Sequence, residues 1–269
     1  MVLNVELLLL KVAIAPAFVG IVSLIAPRYG QRIAGWLVAL PINTGTVLVV
    51  LTLTEGSAFA ASAALGALLA IVSISAFGIG YARSALRFRW PVCLGVAFLG
   101  FLASTLLLNL TTENVFLDLA GAVLAVGIVL VCLPKTKTAP PAAPSPRWEI
   151  PARMLTAALL VVIITTVAST LGPQLSGLLT PIPVFTITLV IFTHSRQGPT
   201  PVFVFLTGLQ YGLFSFAAFC AVVGVLLVPY GLAVAMAVGL LAFLAVSGLC
   251  GLLLARLPGR AEKASQPAA

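Results

Sequence analysis

Residues 39–49 read ALPINTGTVLV, an apolar run interrupted by Pro41, Asn43, Thr44 and Thr46. An amide offers both donors and acceptors, and a hydroxyl offers one donor and two lone pairs. Pro41 removes one backbone donor and leaves the carbonyl about four residues earlier without its helical partner. Together these groups can satisfy a broken helix locally, or present hydrogen bonds to a solute. A second stretch, LLTPIPVFTIT at 178–188, carries Pro181, Pro183, Thr186 and Thr188 in a similar setting. Gln210 and Tyr211 lie midway along another apolar run, inside Gly208-Leu-Gln-Tyr-Gly212. These residues, with Lys11 near the N-terminus, are the candidate substrate-binding set. Pro41, Pro181 and Pro183 are candidate helix kinks, and Gly66, Gly208 and Gly212 candidate helix-packing positions.

Each assignment has a plainer structural counterpart. Hydroxyls can bond to the backbone of their own helix, and Gly208 with Gly212 forms the small-xxx-small spacing of close helix packing. Lys11 can snorkel to the membrane surface or face a cavity as an anion-binding charge. Asn43 is the hardest to explain structurally, because its amide has four hydrogen-bonding positions to fill.

The elements that position these groups are helices in a bilayer. The 269-residue chain is 61% hydrophobic and 7% charged, with mean hydropathy +1.22. A soluble domain carries about 25% charged residues, so this chain lacks the polar surface for water. Nine apolar segments lie between charged or Gly/Pro-rich breaks: 3–26, 32–53, 57–81, 91–110, 115–133, 152–171, 174–194, 201–227 and 231–255. Most approach the roughly 20 residues that a helix needs to cross a bilayer. Residues 134–151, rich in Pro and Lys, form the one extended linker.

Thirteen of the fourteen basic residues fall at alternate boundaries of this map, Lys11 being the exception. Glu6, Glu55, Glu113 and Asp118 fall on the other side. The positive-inside rule then places the N-terminus outside and the C-terminus in the cytoplasm. The net charge of +8 reports orientation rather than nucleic-acid binding. Cys93, Cys132, Cys220 and Cys250 sit far apart in apolar segments and read as packing residues. The N-terminus has no basic n-region of a cleaved signal peptide.

A shift of 142 residues superimposes the two halves. Gly30, Gly35, Leu37, Pro41, Thr44, Thr46, Gly56, Gly66, Ser73, Ala76 and Phe77 fall on Gly172, Gly177, Leu179, Pro183, Thr186, Thr188, Gly198, Gly208, Ser215, Ala218 and Phe219, and Lys11 falls on Arg153. With an odd span between the halves, the second copy enters the membrane from the other side. The expected fold is all-α integral membrane, about nine transmembrane helices as two inverted-topology four-helix repeats joined by one linking helix. Its parts are a first repeat at 1–110, a linking helix and cytoplasmic linker at 111–151, a second repeat at 152–256, and a disordered cytoplasmic tail at 257–269.

Through AGWLVALPINT at 34–44 and SGLLTPIPVFT at 176–186, each half resembles the small four-span inner-membrane proteins of the GlpM-like family. The fused, inverted arrangement is similar to that of small multidrug resistance and drug/metabolite transporters. The resemblance implies a cell-envelope membrane protein and names no substrate. Small multidrug transporters carry a membrane-embedded Glu in the first span, whereas Glu6 lies at the edge of this one.

No catalytic set, metal cluster or phosphate loop is legible, so neither an enzyme nor a cofactor is expected. The expected partners are the lipid bilayer and a small-molecule or lipid-like substrate, with no nucleic acid, in a monomer or a homo-oligomer. The functional expectation is a secondary transporter or facilitator working by alternating access. The alternative is a non-transporting accessory or scaffold protein of envelope polysaccharide or lipid assembly.

Overall fold

In a computed structural model, residues 5–108, 114–134, 146, 148–171 and 183–256 are described, and among them every regular element is a helix. The helices are α1 (Val5–Tyr29), α2 (Gln31–Val38), α3 (Ile42–Thr54), α4 (Ser57–Ser84), α5 (Trp90–Leu108), α6 (Val115–Cys132), α7 (Glu149–Leu171), α8 (Val184–Gln197) and α9 (Pro199–Arg256). Among the described residues, six helical stretches are long and apolar enough to cross a membrane: Gln31–Thr54, Ser57–Ser84, Trp90–Leu108, Val115–Cys132, Glu149–Thr166 and Pro199–Leu252. Ala13–Tyr29 is a shorter apolar stretch. Their outer faces are greasy, with Phe116 84%, Val131 77% and Leu241 65% exposed. An apolar surface this extensive belongs against lipid rather than water.

The 54 residues of Pro199–Leu252 would extend on the order of 80 Å if straight, far beyond a bilayer. They are not straight. Gly231 takes φ 75 and ψ 173, a conformation that L side chains rarely adopt, and the chain folds back there. Gly239 packs on Phe219 and Val223, and the Ser247 hydroxyl donates to Ser215 Oγ at 2.8 Å. α9 is therefore a hairpin of two antiparallel arms.

Several boundaries repeat at the spacing seen in the sequence. α3 begins at Ile42 after Pro41, and α8 at Val184 after Pro183. α4 begins at Ser57 after Gly56 at φ 94, and α9 at Pro199 after Gly198 at φ 82. Thr105 donates to Ser73 Oγ at 2.8 Å between α5 and α4. Adding 142 to both residues gives the Ser247–Ser215 bond between the arms of α9.

The core is built where α4 meets the first arm of α9. Ile71, Phe77, Tyr81, Phe205, Leu206 and Leu209 are each at most 2% exposed. The contacts Ala61 with Gly224, Ser75 with Gln210 and Gly78 with Leu206 run in opposite directions along the two helices, which are therefore antiparallel. Gly20 with Met154 and Ser23 with Arg153 set α1 against α7 in the same sense. The first arm of α9 also meets α2 closely. A Cβ at Gly208 would fall on the Arg32 carbonyl, and one at Gly212 on Trp36 and Ala39. Small residues let the two backbones approach, the usual route to helix association in lipid.

Three expectations need correction. α7 starts at Glu149, inside the expected linker, because Glu149 pairs with Arg153 one turn on and is only 1% exposed. Span 2 is two helices rather than one kinked helix, for the reason given below. Gly66 does not pack as Gly208 does: no described residue lies within 4 Å of a Cβ built there, and it faces a cavity. Residues 172–182, including Pro181, and the tail at 257–269 lie outside the described residues.

The two glycines give a direct test. Gly208→Ala should destabilise the bundle by about 1–3 kcal/mol through overpacking against α2, read as a lower unfolding midpoint in detergent. Gly66→Ala should leave the midpoint unchanged or slightly raised. Equal losses at both positions would contradict the α2–α9 packing.

Candidate functional site

Pro41 ends one helix and begins another. Ala39 N–H donates to the Trp36 carbonyl at 3.1 Å and Leu40 N–H to the Leu37 carbonyl at 3.0 Å, so α2 closes in a tightened last turn. α3 then starts at Ile42, and its first helical bond runs from Gly45 N–H to the Pro41 carbonyl at 2.7 Å. The N–H groups of Ile42, Asn43 and Thr44 are left without intrahelical acceptors, and among the described residues no side chain caps them. α8 likewise starts directly after Pro183: Ile187 N–H reaches the Pro183 carbonyl at 2.9 Å, and among the described residues no side chain caps Val184, Phe185 or Thr186.

Both helix starts open on one cavity of about 600 Å³. Asn43 and Thr44 from α3, Thr186 from α8, Ser73 from α4, Thr105 from α5 and Thr165 from α7 are its polar lining. The rest is mostly aliphatic, with Phe185 and Phe216 as aromatic walls. Phe185 is held by Phe18 of α1, ring centroids 5.0 Å apart. Asn43 is exposed to this space. Each helix start adds a partial positive charge of roughly half a unit from its aligned peptide dipoles. The lining thus combines donors near the middle of the bundle with an apolar remainder, the usual composition of a small-molecule site.

The sequence-predicted residues divide. Asn43, Thr44 and Thr186 line the cavity together with Pro183. Thr46 and Thr188 do not; each hydroxyl donates to the carbonyl four residues back, Ile42 at 2.8 Å and Val184 at 2.9 Å. They follow the structural alternative. Gln210 is also elsewhere. It is fully buried between α4 and α9, its Oε1 accepts from Ser75 Oγ at 3.1 Å, and its Nε2 has no partner among the described residues. Tyr211, its neighbour, does not line the cavity either. The side chain of Lys11 lies outside the described residues.

The sequence reading missed Ser73, Thr105 and Thr165. Ser73 was within reach, since it is one of the residues repeated at 142. Thr105 and Thr165 carry no motif, and only the packing of α5 and α7 brings them here. A charged cluster was missed as well. Glu149 and Arg153 are ion-paired and 1% and 4% exposed, at the end of the bundle where α1, α4 and α8 finish. Arg153 Nη1 donates to Ser23 Oγ at 3.5 Å, and its guanidinium stands 5.5 Å from the Phe192 ring centroid. Arg196 Nε is 4.0 Å from Glu149 Oε2, and its guanidinium covers Trp148. Nearby, the Tyr81 hydroxyl donates to the Val190 carbonyl at 3.4 Å and lies 3.1 Å from His194 Nδ1. The i, i+4 spacing of Glu149 and Arg153 beside Trp148 was the available signal.

No family model matches this chain, and no match was found among curated proteins or solved structures. The class that the fold and the cavity define is a helical membrane protein with a solute-sized cavity.

Cysteine accessibility tests the division. In a background without the four native cysteines, Asn43→Cys and Thr44→Cys should react with a small water-soluble maleimide. Gln210→Cys should stay unreactive until the protein is unfolded. Fast reaction at Gln210→Cys would place it in the cavity after all.

Proposed function

We propose that this protein is a secondary transporter or facilitator of the bacterial inner membrane, moving a small or amphipathic solute by alternating access. The observation that carries this reading is the pair of uncapped helix starts, Ile42 and Val184, 142 residues apart and opening on one cavity. Broken helices at the junction of two repeats are the general form of a mid-membrane transport site. The free N–H groups and the Asn43 amide suit a hydrogen-bond acceptor on the solute, such as a carbonyl or carboxylate. The aliphatic walls suit an apolar body.

In this reading the chain makes nine spans as two inverted four-helix units, α1–α5 and α7–α9, joined by α6. α8 belongs to the seventh of these spans, and α9 supplies the last two. Three observations support it: the helix starts repeated at 142, the repeated hydroxyl pairs, and the antiparallel packing of α4 on its counterpart in α9 and of α1 on α7. The clustered ends of α1, α4 and α8 carry Arg28, Arg83 and Arg196 and face the cytoplasm by the positive-inside rule, which leaves the N-terminus outside. Each unit keeps its resemblance to a GlpM-like protein as part of the proposal. The membrane-buried lining of Asn43, Thr44 and Thr186 favours transport over a scaffold, which needs no such groups.

Uptake into proteoliposomes, screened with medium-chain acids, amides and alcohols, tests the reading. Asn43→Ala should lower uptake of an active solute by about tenfold or more, since a polar group aimed at a ligand is worth 1–3 kcal/mol. The unfolding midpoint should hardly move, because Asn43 is exposed to the cavity. A stability loss with normal uptake would make Asn43 structural, and an absence of uptake across the screen would count against transport.

A further inference from the structure

We propose that the Glu149–Arg153 pair, with Ser23 and the Tyr81–His194 contact, is the cytoplasmic gate of the cavity; the inference rests on the transport reading. The cavity occupies one half of the bundle. Its lining takes the last turns of α3 at Leu51, the end of α5 at Leu108 and the later part of α7 at Thr165. The opposite end, where α1, α4 and α8 finish and α7 begins, is closed by the charged cluster. Two contacts cross between the proposed units there: Arg153 of α7 to Ser23 of α1, and Tyr81 of α4 to His194 and Val190 of α8.

The 142-residue shift shows why this closure is one of two alternatives. Ser23 corresponds to Thr165 and Val190 to Leu48. Ser23 and Val190 are engaged at the closed end, whereas Thr165 and Leu48 line the cavity. Equivalent positions thus stand in a sealed state at one end and an open state at the other. Two repeats that exchange conformations would exchange these roles, which is alternating access between inverted units.

The charge arrangement suits a device that must open repeatedly. Separating a buried ion pair leaves an uncompensated charge and is strongly disfavoured. Glu149 and Arg153 lie one turn apart on the same helix, so α7 carries the pair as a unit. Phe192 and Arg196 of α8 belong to the same unit as the pair and move with it, so opening between the units releases Arg153 from Ser23, and Tyr81 from His194 and Val190. These are hydrogen-bond and ring contacts, weak enough for both states to be populated. Arg153 Nε is buried without a partner among the described residues in this state, so the closed arrangement leaves one donor for another state to satisfy.

The test is the sidedness of a cavity cysteine. Thr44→Cys, without the native cysteines, is exposed to a charged, impermeant thiosulfonate in intact cells and in inverted membrane vesicles. The parent should react from outside and slowly from the cytoplasmic side. Arg153→Met should raise the cytoplasmic rate about tenfold or more, as expected when a buried charge pair loses a partner. The combined Ser23→Ala, Tyr81→Phe variant, which leaves the pair intact, should raise it as well and decides the question if Arg153→Met fails to fold. Gln210→Cys in each background should stay unreactive, which separates gate opening from general loosening. Cytoplasmic rates within about twofold of the parent in the folded variants would overturn the gate, as would equal gains at Gln210→Cys. Opened labelling in a protein that moves no solute would keep the gate and count against transport. A Thr44→Cys that reacts from neither side in any variant would overturn both.

Discussion

A backbone group in a bilayer has no water to fall back on, so every interruption of a helix must be made good by the protein or by a wet cavity. Pro41 and Pro183 impose that constraint, and much of the architecture follows from them. A proline in the middle of an apolar span removes a donor and clashes with the turn before it. The chain responds at Pro41 by ending α2 in a tight turn and starting α3 afresh. The new helix has three free N–H groups that cannot face lipid. Asn43 and Thr44 line the cavity instead, and the second proline brings another such start to the same space. The hydroxyls nearby divide according to the same need: Thr46 and Thr188 bond their own helices, while Thr44 and Thr186 face the opening.

A broken span must be held by its neighbours, and lipid gives apolar side chains little reason to prefer one another over the tails around them. Close backbone approach and buried hydroxyl pairs take over that role. Gly208 and Gly212 bring α9 against α2, the half-span that the break leaves short. Thr105 with Ser73 and Ser247 with Ser215 join each long helix to the one that folds back on it. Gln210 belongs to the same class of contact. Its amide bonds Ser75 across the α4–α9 interface, where the two helices lie too close for a solute.

Much of the fold was legible because its signals are local. Apolar run length gave the helices, and the charged and Gly/Pro breaks gave most of their ends. Gly56 and Gly198 mark turns at matching places because both take positive φ, which glycine alone adopts freely. The candidate site was legible only in part. Pro41, Asn43 and Thr44 announced a break with polar groups beside it, whereas nothing in the sequence distinguishes the direction of Thr44 from that of Thr46. That difference is two residues along a helix, about 200° of rotation, and the rotation is set by packing. Gln210 misled for the opposite reason: an amide in an apolar helix has the same appearance whether it faces a solute or a serine on the next helix. Glu149 was assigned to the linker because Pro and Lys surround it, and its burial depends on Arg153, Arg196 and Trp148 converging on it.

The repeat is symmetric in its helix starts and unsymmetric in its charges, and the second property bears on the first. Arg153 has Lys11 as its counterpart, so a cation stands at the same register of α1 and α7. Glu149, the partner of Arg153, has Leu7 as its counterpart, and Tyr81 has Val223. A closure built on Lys11 and Thr165 at the far end would therefore lack both the carboxylate and the phenol that serve the near end. In the transport reading, two states related in backbone by the pseudo-two-fold axis of the repeats would then differ in energy through these few side chains. A difference of about 1.4 kcal/mol already sets a tenfold bias between two states. The substitutions that break the internal symmetry, rather than the residues that keep it, would set the resting direction of the cavity.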